Sequence, residues 1–332
     1  MGRRKLRLSR PSFRLLPSAT MVDLSAVEAA ARRLNPHLRH TPLLDACPLP
    51  GGEPGSRLFL KLENLQVTGS FKSRGAANKV LTLPTERVSR GLVTASGGNH
   101  GLGVVFAGRL VGAPVTIYLP ANVPAAKAVK LERWGARLVW EGELWDDANR
   151  AAQEAARREG MTYVHAFADE EVIAGQGTLA LEALGDEPGL DLFLVAIGGG
   201  GLISGVATAV KGRQPAARVV GIEAAGAPKI YRSLREGRLV ELDAVTTVAN
   251  TLSSRTSHEM NLAIIREQVD EVVLVTDEEM REAARWLWFE TGVAAELSGA
   301  AALAALLAGK IPLEGVRAAC VVVCGAGTDG LG

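Results

Sequence analysis

The sequence predicts an α/β protein with two αβα domains, each a mostly parallel sheet covered by helices. Three observations lead there. Short apolar runs alternate with helix-length segments along almost the whole chain beyond residue 21. Runs such as residues 192–197 and 319–324 are apolar at every position, which implies burial on both faces, as in a parallel strand between helix layers. Three consecutive strand–helix units fit within residues 92–159, and a second series follows after residue 163.

In chain order, residues 22–34 read as a helix and residues 41–44 as extended chain. Residues 58–62 are strand-like and run toward a small-residue turn around Lys72. The three units are strand 92–95 with a helix from about 100 to 111, strand 115–119 with helix 125–134, and strand 137–140 with helix 145–159. The second series has a strand over 163–166 and a helix over 170–184. Strand 192–197 and helix 202–211 come next, then strands 219–223, 271–275 and 319–324 with helices between them. No fixed-period repeat interrupts this order.

Composition narrows the function classes. The 332 residues are 47% hydrophobic and 22% charged, enough for a sizeable buried core. With 37 basic and 36 acidic side chains the net charge is +1, so nucleic acid and anionic membranes are not expected partners. Cys47, Cys320 and Cys324 make no disulfide framework, and neither C-x-x-C nor H-E-x-x-H spacing occurs. The longest apolar runs are too short to span a bilayer, and a reducing cytoplasm is the default compartment. Residues 1–20 differ from the rest: six basic and no acidic side chains are compatible with a targeting peptide, but read better as a disordered tail, or as sequence upstream of a start at Met21. The chain ends just after its last strand, so no C-terminal regulatory domain is expected.

Four segments carry chemistry. Ser70-Phe71-Lys72-Ser73-Arg74-Gly75-Ala76 places one lysine where its amine could form a Schiff base with a carbonyl. Gly198-Gly199-Gly200-Gly201-Leu202 joins a strand to a helix, so backbone N–H groups can approach an anion. It fits neither the G-x-G-x-x-G pattern nor a P-loop; taken alone it is a phosphate cup or a packing turn. Ser96-Gly97-Gly98-Asn99-His100-Gly101 lies at the carboxyl end of a strand and suits a carboxylate. There Asn99 could equally be an ordinary N-cap and His100 a structural histidine. Cys324 closes the last strand before a glycine turn, where its thiol could face a ligand; Cys320 reads as core.

Together and in this order the segments resemble fold type II pyridoxal-phosphate enzymes, the tryptophan synthase β-like fold. The likeness is to the serine/threonine dehydratase (threonine ammonia-lyase) and serine racemase group. S-F-K-S-R-G-A, S-G-G-N-H-G, I-G-G-G-G-L, E-L-S-G-A and C-G-A-G-T-D carry it, from about residue 41 to 329. The resemblance implies that pyridoxal 5′-phosphate sits in a cleft between the two domains, bound covalently by Lys72. Phe71 would pack on it, Asn99 would bond its 3′-hydroxyl, Gly198 to Leu202 would hold its phosphate, and Cys324 would face its ring nitrogen. Ser96, Gly97, Asn99 and His100 would form the substrate-carboxylate loop. The implied domains are 21–80 with 162–332, and 81–161. The implied reaction is β-elimination of water from L-threonine or L-serine, giving a 2-oxo acid and ammonia, in a homodimer.

Three departures shape the expectations. Gly97 stands where racemases of the group carry a second serine, which disfavours racemisation. Lys229 occupies the place of a carboxylate in the group's divalent-cation site, so no metal is expected and Lys229 is expected to pair with Glu223. Ala249-Asn250-Thr251 replaces Ala-Asp-Gly, which leaves room for another β-hydroxy amino acid such as 3-hydroxyaspartate, a phenylserine or a solute derivative. A non-catalytic pyridoxal-phosphate-binding protein is the non-enzyme alternative.

Overall fold

The structure, a computed structural model, describes residues 22–331; the basic tail expected over residues 1–20 lies outside them. Helix α1 (Leu24–Leu34) starts at Asp23, whose carboxylate accepts the Ala26 N–H at 2.9 Å. Strands β1 (Leu43–Pro48) and β2 (Arg57–Leu62) form an antiparallel pair. Helices α2 (Lys72–Leu81) and α3 (Thr85–Ser89) lead into β3 (Leu92–Ala95), α4 (Asn99–Val111), β4 (Val115–Leu119), α5 (Ala125–Arg133), β5 (Arg137–Trp140) and α6 (Trp145–Glu159). The two-residue β6 (Thr162–Tyr163) and α7 (Glu170–Asp186) follow. Then come β7 (Leu192–Ala196), α8 (Gly201–Arg213), β8 (Arg218–Ala224), α9 (Lys229–Glu236), α10 (Glu259–Gln268), β9 (Glu271–Val275), α11 (Asp277–Thr291), α12 (Leu297–Leu307) and β10 (Ala318–Val323).

The strands make two sheets. The larger has six strands in the order β1-β2-β10-β7-β8-β9, parallel except for β1; the smaller has four, β5-β4-β3-β6, all parallel. One row across the larger sheet reads Leu60, Val321, Leu194, Val220, and all four are fully buried. Each such side chain contributes about 1.5–3 kcal/mol by leaving water. The all-apolar strands therefore sit where the absence of alternation places them, between helix layers.

Strand order also places the loops. β2, β10 and β7 are neighbours, so the segments leaving their carboxyl ends emerge side by side. Helix α2 packs on α4 and on α7, linking the layers over both sheets. Its contact with α7 is close because glycines face each other. A Cβ at Gly75 would lie 2.4 Å from Gln176 Nε2, and one at Gly175 would lie 2.6 Å from the Arg74 carbonyl oxygen.

Two expectations change. Lys72 is not in a turn: it is the first residue of α2, and the glycine that suggested a turn, Gly75, is inside the helix at that contact. The strand expected over 163–166 is reduced to Thr162–Tyr163, because the chain curls after it. His165 Nδ1 accepts the N–H groups of Phe167 (3.1 Å) and Ala168 (2.8 Å). β6 pairs with β3, so the smaller sheet continues past residue 161.

Candidate active site

After β2 the chain makes two single turns of 3-10 helix, then is tied to the exit of β10. Phe71 N–H donates to the Cys324 carbonyl at 3.2 Å, Ala326 N–H to the Gly69 carbonyl at 2.8 Å, and Ser70 bridges Gly325. Lys72 thus starts α2 beside Cys324. Arg74, two residues on and 1% exposed, anchors the same turn from below. Its guanidinium donates to Glu63 at 2.8 Å through Nε and Nη2, and to Glu182 at 2.6 and 2.8 Å through Nη1 and Nη2. Lys61, also buried, donates to Glu182 at 2.7 Å.

The Lys72 amine donates to the Ala166 carbonyl at 2.8 Å and lies 5.2 Å from the Phe71 ring centroid. Burial lowers its pKa to about 8, against the opposing pull of Cys324 and Glu296. Across from it, the glycine run leaves β7 and enters α8. Gly200 takes φ +97°, a left-handed conformation that favours glycine. A Cβ at Gly199 would stand 2.1–2.4 Å from the Phe167 ring, and one at Gly201 about 2.9 Å from Phe167 backbone and side chain. The Gly199 carbonyl is held away from the run's amides by Ser257 Oγ (2.8 Å) and Asn261 Nδ2 (3.0 Å). The first amides of α8 have no acceptor within their own helix. The run is therefore a backbone cradle that side chains could not enter.

Phe71, Lys72, Asn99, Gly198, Gly199, Gly200, Gly201, Leu202 and Cys324 line one cavity. Sequence reasoning missed Phe167, Ala196 and Leu252 in its wall, noted Glu296 only as part of a family motif, and noted Thr251 only as a departure. Asn99 is not an N-cap by its side chain: Nδ2 donates to Glu296 Oε1 at 2.9 Å. Thr251 Oγ1 donates to the same oxygen at 3.2 Å and also pairs with Ser298. Burial raises the Glu296 carboxyl above its ordinary value. Burial likewise raises the Cys324 thiol far above its ordinary value; its Sγ donates to the Ser298 carbonyl at 3.5 Å and stays protonated.

The carboxylate loop divides. Asn99 reaches the cavity; Ser96, Gly97 and His100 are not in its lining. Ser96 Oγ accepts the Gly98 N–H at 3.3 Å. The His100 ring is buried, and its Nε2 meets the Val164 carbonyl at 2.9 Å. Burial lowers its pKa to about 3, so it is neutral, the arrangement of a structural histidine. A Cβ at Gly97 would meet Val123 at 2.8 Å. Away from the cavity, Lys229 and Glu223 form the expected pair, at 3.2 Å.

The pyridoxal-phosphate-dependent enzyme family matches residues 34–325. An L-threonine ammonia-lyase of Thermotoga maritima is 38% identical over 93% of this chain and 76% of that protein. A catabolic L-threonine dehydratase of Staphylococcus aureus is 36% identical over 89% of this chain and 86% of its own. Maize serine racemase superposes with a TM-score of 0.87 at 32% identity, covering 92% and 93% of the two chains. The processed form of threonine deaminase isoform 2 from Solanum lycopersicum does so at 0.85 and 31%, covering 92% and 83%. With the match running from the end of α1 through the exit of β10, and so across every segment that lines the cavity, the chain belongs to the pyridoxal-phosphate-dependent enzymes.

Proposed function

We propose that this enzyme removes water from a β-hydroxy amino acid, L-threonine or L-serine, releasing a 2-oxo acid and ammonia. The observation that carries the reading is one cavity holding a buried amine with a lowered pKa opposite a glycine cradle that no Cβ could share. Those are the two features pyridoxal phosphate requires, a nucleophilic amine and a backbone anion site. The residues present fit the cofactor.

Lys72 would hold the cofactor covalently, with Phe71 against it. The amides of Gly198 to Leu202 would take the phosphate, Asn99 the 3′-hydroxyl, and the neutral Cys324 thiol would face the ring nitrogen. Bound pyridoxal phosphate supplies an electron sink for charge developing at the substrate α-carbon. A thiol that keeps its proton gives none to the ring, which moderates that sink and favours elimination. Once freed, the Lys72 amine, whose proton burial makes easier to lose than that of an exposed lysine, would take the α-proton. The β-hydroxyl would take up that proton and leave as water, and hydrolysis of the unsaturated amine would yield the 2-oxo acid and ammonia. The Ser96–His100 turn offers the substrate carboxylate its backbone at the N-terminus of α4, while the Ser96 and His100 side chains stay engaged elsewhere. Gly97 offers no acid for the opposite face, which weighs against racemisation.

Thr251, a side chain in the cavity wall where the resembled group has glycine, is the observation behind a second reading, in which the same chemistry acts on a different β-hydroxy amino acid. A coupled 2-oxo-acid assay over threonine, serine, 3-hydroxyaspartate and phenylserine separates the two. Turnover of threonine or serine supports the first; inactivity with both alongside turnover of a larger analogue replaces it. A homodimer in the cytoplasm is the proposed setting. Among the described residues no helix is long and apolar enough to cross a membrane.

A further inference from the structure

Lys229 is fully buried and takes no part in the chemistry above. Its Nζ lies 3.2 Å from Glu223 Oε1 and donates to the carbonyls of Ala227 (3.3 Å) and Leu252 (3.2 Å). Glu223, also fully buried, accepts the N–H groups of Ile230 and Tyr231 at 2.9 Å, so the first turn of α9 holds it as an anion. Burial pulls the amine down and the carboxyl up, and their mutual attraction opposes both shifts.

The Leu252 carbonyl is what ties this pair to the active site. Thr251 and Leu252 line the cavity, yet the chain between α9 and α10 has no regular structure except the single 3-10 turn Asn250–Leu252. The Thr251 carbonyl oxygen would stand 2.6 Å from a Cβ at Gly198, and the Thr251 hydroxyl reaches Glu296, which holds Asn99. Contacts therefore run from Glu223 through Lys229 to the cavity wall, and on to Asn99.

We propose that Lys229 is a positioning residue, a resident cation that ties the 250–252 wall of the cavity to the end of β8 and so holds Thr251, Glu296 and Asn99 in register. Without its ammonium, one carboxylate and two carbonyls face a hole of ammonium size. Those are oxygen donors only, a set that a small free cation can fill.

The proposal rests on the elimination reading for its assay, so the test includes a readout independent of turnover. Holoenzyme carrying Lys229→Ala is compared with wild type in ammonium chloride, potassium chloride or choline chloride at equal ionic strength. The expected result is retained cofactor absorbance, with kcat/KM lowered by about tenfold or more. Ammonium or potassium should restore part of it, and choline should not. Visible circular dichroism of the bound cofactor should change in the variant and return with ammonium, whatever the substrate proves to be. Wild type should be indifferent to all three salts. Lys229→Met, which fills the hole, should be impaired without rescue. Activity and dichroism of folded Lys229→Ala within twofold of wild type overturn the proposal, as does restoration by choline equal to that by ammonium. If Lys229→Ala does not fold, the double variant Lys229→Met, Glu223→Gln leaves no buried charge unpaired. Its lowered kcat/KM with retained cofactor supports the proposal, and unchanged kinetics overturn it.

Discussion

At the scale of single residues, two side chains of one motif do different work. Lys72 points into the cavity and Arg74 into a buried ionic network. The lysine's place at a ligand-sized cavity was legible because an isolated amine in a small-residue segment has few other uses. The arginine's was not, since its partners Glu63 and Glu182 are distant in sequence or unremarkable on paper. Burial disfavours the ammonium, so free Lys72 is mostly neutral above about 8 and protonated below it. Capture of pyridoxal phosphate by apo-protein should therefore speed up about tenfold per pH unit below that value and level off above it. Stopped-flow absorbance between pH 6 and 9.5 reads this directly, and a flat profile would contradict the lowered pKa. Arg74→Met leaves the buried Glu63 carboxylate without its cation, and Glu182 with Lys61 alone, and should cost about 3–5 kcal/mol of stability, measured by urea denaturation. His100 shows what sequence could not decide: its ring is buried and bonds the Val164 carbonyl, and of this loop only Asn99 lines the cavity.

At the scale of elements, β3, β4, β5, β9 and α6 have the bounds that periodicity predicts. Short strand-forming runs bounded by a glycine, proline or acidic residue, and an acidic first turn in α6, leave little latitude there. β6 is shorter than its apolar residues suggest, because a histidine side chain competes for the backbone N–H groups that would extend it. The glycine cradle was legible as a turn of two meanings. The structure adds Phe167, whose ring and backbone leave no room for a Cβ at Gly199 or Gly201, and nothing in the residues around it marks it in the sequence. Gly199→Ala should drive a methyl into that ring and lower cofactor affinity by about tenfold or more. Adding Phe167→Ala should recover part of the loss, since the collision is with the ring itself. Equilibrium titration with pyridoxal phosphate measures both, and unchanged affinity of the single variant would remove the cradle from the account.

At the scale of the whole molecule, function follows from strand order. β2, β10 and β7 lie side by side, so the amine, the thiol and the glycine cradle share one mouth, and α4 brings Asn99 from the smaller sheet. Alternating strands and helices predict two parallel sheets, but not which strands are neighbours, because that order depends on long-range packing. Because one cavity draws on segments from both sheets, cofactor removal should lower the midpoint of thermal unfolding by several degrees, and calorimetry of apo- and holoenzyme checks it. The most direct test of the central claim is borohydride reduction of the holoenzyme followed by proteolysis and mass spectrometry. A pyridoxyl group on the peptide containing Lys72, and on no other lysine, is the expected result; a label on a different lysine, or no label at all, would contradict the assignment.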